Sequence, residues 1–152
     1  MTLQLDKNTY DWNGRIVAYI TIANTSSKVV KLPIMDVDPK AFVDFLVIGN
    51  FGHQLLTNYG VGWVVPSPKA VRLVHLKPGY HFRFKVEDAF SFRSIDVADA
   101  EQFHIVAIYR DRAYGHSPTY PEFGKKDPAV WRGVIMSDPA VIDHVEWKSF
   151  DP

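Results

Sequence analysis

Arg110, Arg112, Tyr114, His116, Tyr120, Phe123, Lys125 and Lys126 fall within the seventeen residues "RDRAYGHSPTYPEFGKK". Trp, Tyr and Arg dominate interface hot spots, so this mixture suits capture of a protein surface. Pro118, Pro121 and Pro128 restrict the backbone, and such a loop loses less entropy on binding than a Gly-rich one. The stretch 111–129 is longer than ordinary connections of roughly 4–6 residues, and long loops in compact domains tend to be functional or disordered. The plainer reading is a loop that tucks Tyr and Phe onto its own domain, with Arg and Lys keeping it soluble. The partner-binding candidates are Arg110, Arg112, Tyr114, His116, Tyr120 and Phe123.

A second set of aromatic residues lies at turns. Tyr10 and Trp12 precede Asn13-Gly14, and Tyr59 and Trp63 sit in "TNYGVGWVVPSP", whose Gly and Pro rule out a regular helix. Flat rings in loops stack on sugars, which makes Trp12, Tyr59 and Trp63 the candidates for a carbohydrate-binding alternative. Their structural role would be to plug the ends of a β domain.

Catalytic chemistry has little to build on. With no Cys, disulfides, thiolate metal sites and cysteine nucleophiles are excluded. His53, His75, His81, His104, His116 and His144 are scattered, with no His-Glu-x-x-His, nucleophile elbow or phosphate loop. His104 lies in an apolar run and reads as a half-buried structural residue. His81, Arg83 and Lys85 share the polar face of an alternating run, either a basic stripe or an ordinary solvated face. Asp36, Asp38 and Asp44 form the one carboxylate cluster, but Pro39 and the missing calcium-loop spacing favour a solvated turn. No catalytic residue, metal or cofactor is expected, and an enzyme of unknown class ranks last.

The elements that must carry these residues read as strands. Ile16, Ala18, Ile20 and Ile22 alternate with polar or outward residues after the Asn13-Gly14 turn, whose residues both tolerate positive φ. "VVKL" ends at Pro33, and "FLVIGNFGHQLL" reads as a strand, a turn and a return strand. Tyr80, Phe82, Phe84 and Val86 face one way in "YHFRFKV". "FHIVAIY" is apolar on both faces, as a doubly covered central strand should be. "GVIM" and "AVIDHVEW" close the chain, broken at Asp138-Pro139. Helix is confined to short pieces, Pro39 to Asp44 and Val97 to Glu101. One domain spanning 1–152 fits the length.

Three stretches carry a resemblance: "VAYITIANTSSKVVKL", "LVHLKPGYHFRFKV" and "WRGVIMSDPAVIDHVEW". Their order resembles the small immunoglobulin-like sandwiches of the bacterial intracellular proteinase inhibitors, and the propeptide-like β domains of some secreted metalloendopeptidases. The residue after Pro78-Gly79, often acidic in such domains, is here Tyr80. The resemblance implies a fold and an inhibitory or protein-binding role, and assigns no individual site residue.

Together these readings predict an all-β, immunoglobulin-like antiparallel β-sandwich of about 7–9 strands. Its expected function is that of a non-enzymatic protein-binding module, with proteinase inhibition the specific form. Lys+Arg and Asp+Glu number 17 each, so the zero net charge argues against a nucleic-acid or membrane partner. The apolar segments "FLVIG" and "VIDHVEW" would let two copies pair as a homodimer. The N-terminus lacks the basic and apolar regions of a signal peptide, giving a cytoplasmic expectation unless a leader has been trimmed. Asn24-Thr25-Ser26 is a formal glycosylation sequon.

Overall fold

A computed structural model describes residues 1–35, 39–49, 54–56, 71–90, 92, 102–110, 130–131 and 133–146. They are all-β, with a short 3-10 turn at Pro39–Phe42 and no α-helix among the described residues. The strands are β1 (Thr2–Leu5), β2 (Thr9–Asp11), β3 (Ala18–Ala23), β4 (Val30–Met35), β5 (Val43–Gly49) and β6 (Gln54–Leu56). They continue as β7 (Val71–Leu76), β8 (His81–Val86), β9 (Phe103–Arg110), β10 (Val134–Met136), β11 (Ala140–Ile142) and β12 (His144–Glu146).

Four sheets result. One runs β1-β3-β8; a second runs β10-β9-β5-β6, with β11 also on β9; β4 pairs with β7 and β12 with β2. The ladders between named strands are antiparallel except β12–β2. No helix among the described residues is long and apolar enough to cross a membrane.

Alternation decides the faces. In β3, Ala18, Ile20 and Ile22 are buried, and Tyr19 and Thr21 are half-buried on the other side. In β9, Phe103, Ile105, Ala107 and Tyr109 enter the main core; Val106 and Ile108 are also buried but lie outside it. That double burial is what an apolar run on both faces requires of a central strand, and β9 is flanked by β5 on one side and β10 and β11 on the other. His104, expected to be half-buried, is exposed, unlike Val106 and Ile108 farther along the same strand. The core is aromatic-rich. Phe92 meets Phe103 at 5.0 Å and Phe90 edge-on at 5.6 Å between ring centroids, a geometry that adds to simple area burial.

Three local readings are revised. First, the turn before β3 forms, closed by the Gly14 N–H donating to the Asp11 carbonyl at 2.7 Å. Its glycine is required by close approach, since a Cβ on Gly14 would sit 2.8 Å from the Asp11 carbonyl oxygen; neither Asn13 nor Gly14 takes positive φ. Second, the strand does not stop at Pro33. β4 runs through it to Met35, with β7 as its only ladder among the described residues, where the missing N–H is tolerable. The Pro33 carbonyl accepts the buried Tyr109 hydroxyl, which ties β4 to β9. Third, Tyr80 does not share the core face of Phe82 and Phe84: it is 62% exposed. β8 starts only at His81, and Tyr80 belongs to the turn made by Pro78 and Gly79.

Short polar joints complete the frame. Asp138-Pro139 does separate β10 from β11, and Ser137 bridges the gap. Its N–H donates to the Ala107 carbonyl at 2.9 Å, and its hydroxyl accepts the Ala107 N–H at 3.0 Å. Tyr10 is buried and donates its hydroxyl to Asp6 Oδ1 at 2.6 Å. Burial first, and then the hydrogen bond to Asp6, raises the Tyr10 pKa well above the ordinary phenol value. A phenol whose folded pKa is raised contributes stability that is present below the unfolded value of about 10 and is lost as pH rises past it. Urea midpoints of the wild type should therefore fall more steeply above about pH 10 than those of Tyr10→Phe. Parallel curves for the two proteins would contradict this.

Candidate functional site

The Arg/Tyr-rich segment begins and ends on one sheet. β9 finishes at Arg110, and Arg110 is the antiparallel partner of Val134, the first residue of β10. The chain thus leaves the sheet and rejoins it at paired positions. Arg112, Tyr114, His116, Tyr120 and Phe123 lie outside the described residues, as do Tyr59, Trp63, Asp36 and Asp38.

Both feet are fixed by specific contacts. At the outgoing foot, Arg110 Nε lies 2.7 Å from Asp44 Oδ2. The N–H is not aligned on the oxygen, so the contact is an ion pair rather than a directed hydrogen bond. The Asp44 side chain is only 1% exposed, while that of Arg110 is 35% exposed. Asp44, read from the sequence as part of a carboxylate cluster, is thereby committed to holding Arg110. At the returning foot, Val130 bridges Lys31 in parallel, and the Trp131 N–H donates to the Lys31 carbonyl at 2.9 Å. The Trp131 ring packs on Tyr109 at 5.4 Å. Gly133 then turns the chain into β10 at φ +136°, with the Trp131 ring against the position a Cβ would occupy.

The other candidates are placed as follows. Trp12 is half-buried against the main core, so a sugar would meet only part of it, and its backbone N–H donates to the Glu146 carbonyl at 2.9 Å. Arg83 lies over the Tyr19 ring at 4.8 Å and donates to Gln4 at 3.1 Å. Lys85 pairs with Glu87 at 2.6 Å, which raises the lysine pKa and lowers the glutamate's. The face of His81, Arg83 and Lys85 is thus largely self-satisfied beyond His81. No group of three or more His, Asp or Glu able to hold a metal occurs among the described residues.

The polar turn is more organised than the sequence indicated. Asn24 is 6% exposed. Its amide donates to the Lys28 carbonyl at 2.7 Å and the Leu76 carbonyl at 2.8 Å, and its oxygen accepts the Ser26 N–H at 3.0 Å. Both N–H positions are used, so the sequon has no room for a glycan in the folded chain. Tyr80, Lys28 and Lys77 beside it were not singled out as a site. The available signal was Pro78-Gly79, which assigns Tyr80 to a turn instead of a strand.

No family model matches the chain, and no curated protein matches it.

Proposed function

We propose that the chain is a non-enzymatic protein-binding module, a single immunoglobulin-like sandwich over 1–152, that engages its partner through residues 110–126. The observation that supports it best is the pair of fixed feet: the segment is held at Arg110 by Asp44 and at Val130–Trp131 by Lys31 and Tyr109. A long Arg- and Tyr-rich stretch held in this way suits recognition, because ordering its ends costs nothing further on binding. In support of the sandwich reading, the orders β1-β3-β8 and β5-β9-β10 can be laid onto the A-B-E and C-F-G strands of such domains, with β6 added beside β5 and β4–β7 forming a separate pair. Proteinase inhibition is the specific form the sequence resemblance suggests.

The test is inhibition of a panel of serine, cysteine and metalloproteinases by the wild type and by Arg112→Ala/Tyr114→Ala. The wild type is expected to inhibit at least one enzyme. The variant should unfold at the same temperature and inhibit about tenfold less. Equal inhibition by the two proteins would remove the segment from the account, and inhibition of none would remove the inhibitory form. The carbohydrate alternative through Trp12, Tyr59 and Trp63 predicts a change in tryptophan fluorescence on titration with sugars.

A further inference from the structure

The turn at 77–80 and the turn at 24–29 are locked to each other. The Asn24 N–H donates to the Tyr80 carbonyl and the Gly79 N–H to the Asn24 carbonyl, each at 2.9 Å; the Tyr80 N–H closes its own turn on the Lys77 carbonyl at 3.1 Å. Gly79 supplies the required positive φ of 76°. Tyr80, with its backbone donor and acceptor both engaged, is 62% exposed, and Val29 in the other turn is 43% exposed. Neither side chain belongs to the main core. A rigidly mounted, exposed aromatic side chain on a locked turn has the properties of an interface anchor.

Charge is distributed unevenly around it. Residues 24–35 and 71–86 contain no Asp or Glu, but contain Lys28, Lys31, Arg72, Lys77, Arg83 and Lys85 together with His75 and His81. Lys28, Lys77, His75 and His81 are exposed, and none of the four has a carboxylate partner among the described residues. The described carboxylates other than Asp44 and Asp138 gather at the opposite end of β3. Asp6 accepts from Val17, Asp88 pairs with Arg15 and Glu87 with Lys85, while Asp143 accepts from Asn8 and Glu146 is the ladder partner of Asp11 in β2.

We infer that the tip formed by residues 24–29 and 77–81 is a docking surface for an acidic protein segment carrying an apolar or aromatic side chain. Lys28 and Lys77 meet its carboxylates, and Tyr80 and Val29 meet its apolar group. This proposal uses none of residues 110–126 and does not depend on that reading. A protein partner fits better than the other polyanions. Polybasic lipid recognition uses clusters of about 4–8 Lys or Arg, and duplex DNA binding typically draws on about 6–10 phosphate contacts. The tip offers two lysines around a tyrosine, within a chain of zero net charge.

The experiment is fluorescence anisotropy with the full chain. The probes are labelled Glu-rich peptides of about twelve residues bearing one Leu or Phe, with Gln-for-Glu counterparts, an oligonucleotide and phosphatidylserine vesicles as competing arms. Acidic peptides should bind and their Gln counterparts should not. Tyr80→Ala and Lys28→Glu/Lys77→Glu should each weaken binding at least about tenfold without changing the unfolding temperature, since these side chains are exposed. Raising salt from about 50 to about 300 mM should weaken it several-fold, while Arg112→Ala/Tyr114→Ala should bind like the wild type. Acidic peptides binding no better than their Gln forms, or binding both tip variants as tightly as the wild type, overturns the assignment. So does tighter binding of the oligonucleotide or the vesicles through the same residues.

Discussion

Replacing Asn24 with Ala is expected to cost about 3 kcal/mol of folding stability. The side chain is buried and satisfies three backbone groups, the carbonyls of Lys28 and Leu76 and the N–H of Ser26. Removing it leaves polar groups without their partner in a place where water has little access. Each such group costs about 1–3 kcal/mol, and partial rehydration of the Lys28 carbonyl keeps the total toward the low end. Asn24→Asp should be no better, because it loses both donors and brings a charge against two carbonyl oxygens. Urea unfolding gives the stability, and amide exchange at Gly79 and Tyr80 locates the damage. A loss below about 1 kcal/mol would mean that the backbone bonds between the two turns suffice alone.

The second large effect is at Arg110. Arg110→Ala removes the guanidinium from beside the Asp44 carboxylate, which is almost fully buried. Breaking a buried pair from one side costs about 3–5 kcal/mol. The Arg110 side chain retains some solvent access, so water replaces it in part and about 2–3 kcal/mol is expected. Asp44→Asn added to Arg110→Ala should recover part of the loss, because a neutral amide is cheaper to bury than a carboxylate that has lost its guanidinium. A double variant no more stable than the single one would contradict the ion-pair account. This also determines how Arg110 is to be used as a probe: weaker partner binding by Arg110→Ala would report a disturbed foot as readily as a lost contact, which is why Arg112 and Tyr114 are the better test.

The β-strand pattern was legible because burial imposes it locally. Ile16 to Ala23 alternates as its face demands, and the run from Phe103 to Tyr109 announces a strand covered on both sides. What the sequence concealed depends on distant partners. Nothing near Arg110 reveals that Asp44 will neutralise it, and nothing near Pro33 reveals that Tyr109 will take its carbonyl. Asn24 had the composition of a solvated turn residue; its burial comes from Leu76 and Tyr80, far along the chain. Tyr80 departs from its pattern for the opposite reason. The alternation of β8 begins only at His81, because Pro78-Gly79 places Tyr80 in a turn. Of the candidate binding residues, only Arg110 and Trp12 fall among those the structure describes.

The step at Ser137 has a consequence for behaviour in concentrated solution. Exposed sheet borders act as templates for further chains, and a long, flat, apolar border is a route to fibres. Among the described residues, β10 and β11 form the outer border of this sheet, with Val134, Met136 and Val141 exposed. Yet Ser137, Asp138 and Pro139 cut it into two pieces of three residues each. An incoming strand would find too few consecutive hydrogen-bonding groups to grip, and one position in the gap, Pro139, has no N–H to offer. A break that looks like a flaw in the ladder thus protects the chain against growth by aggregation.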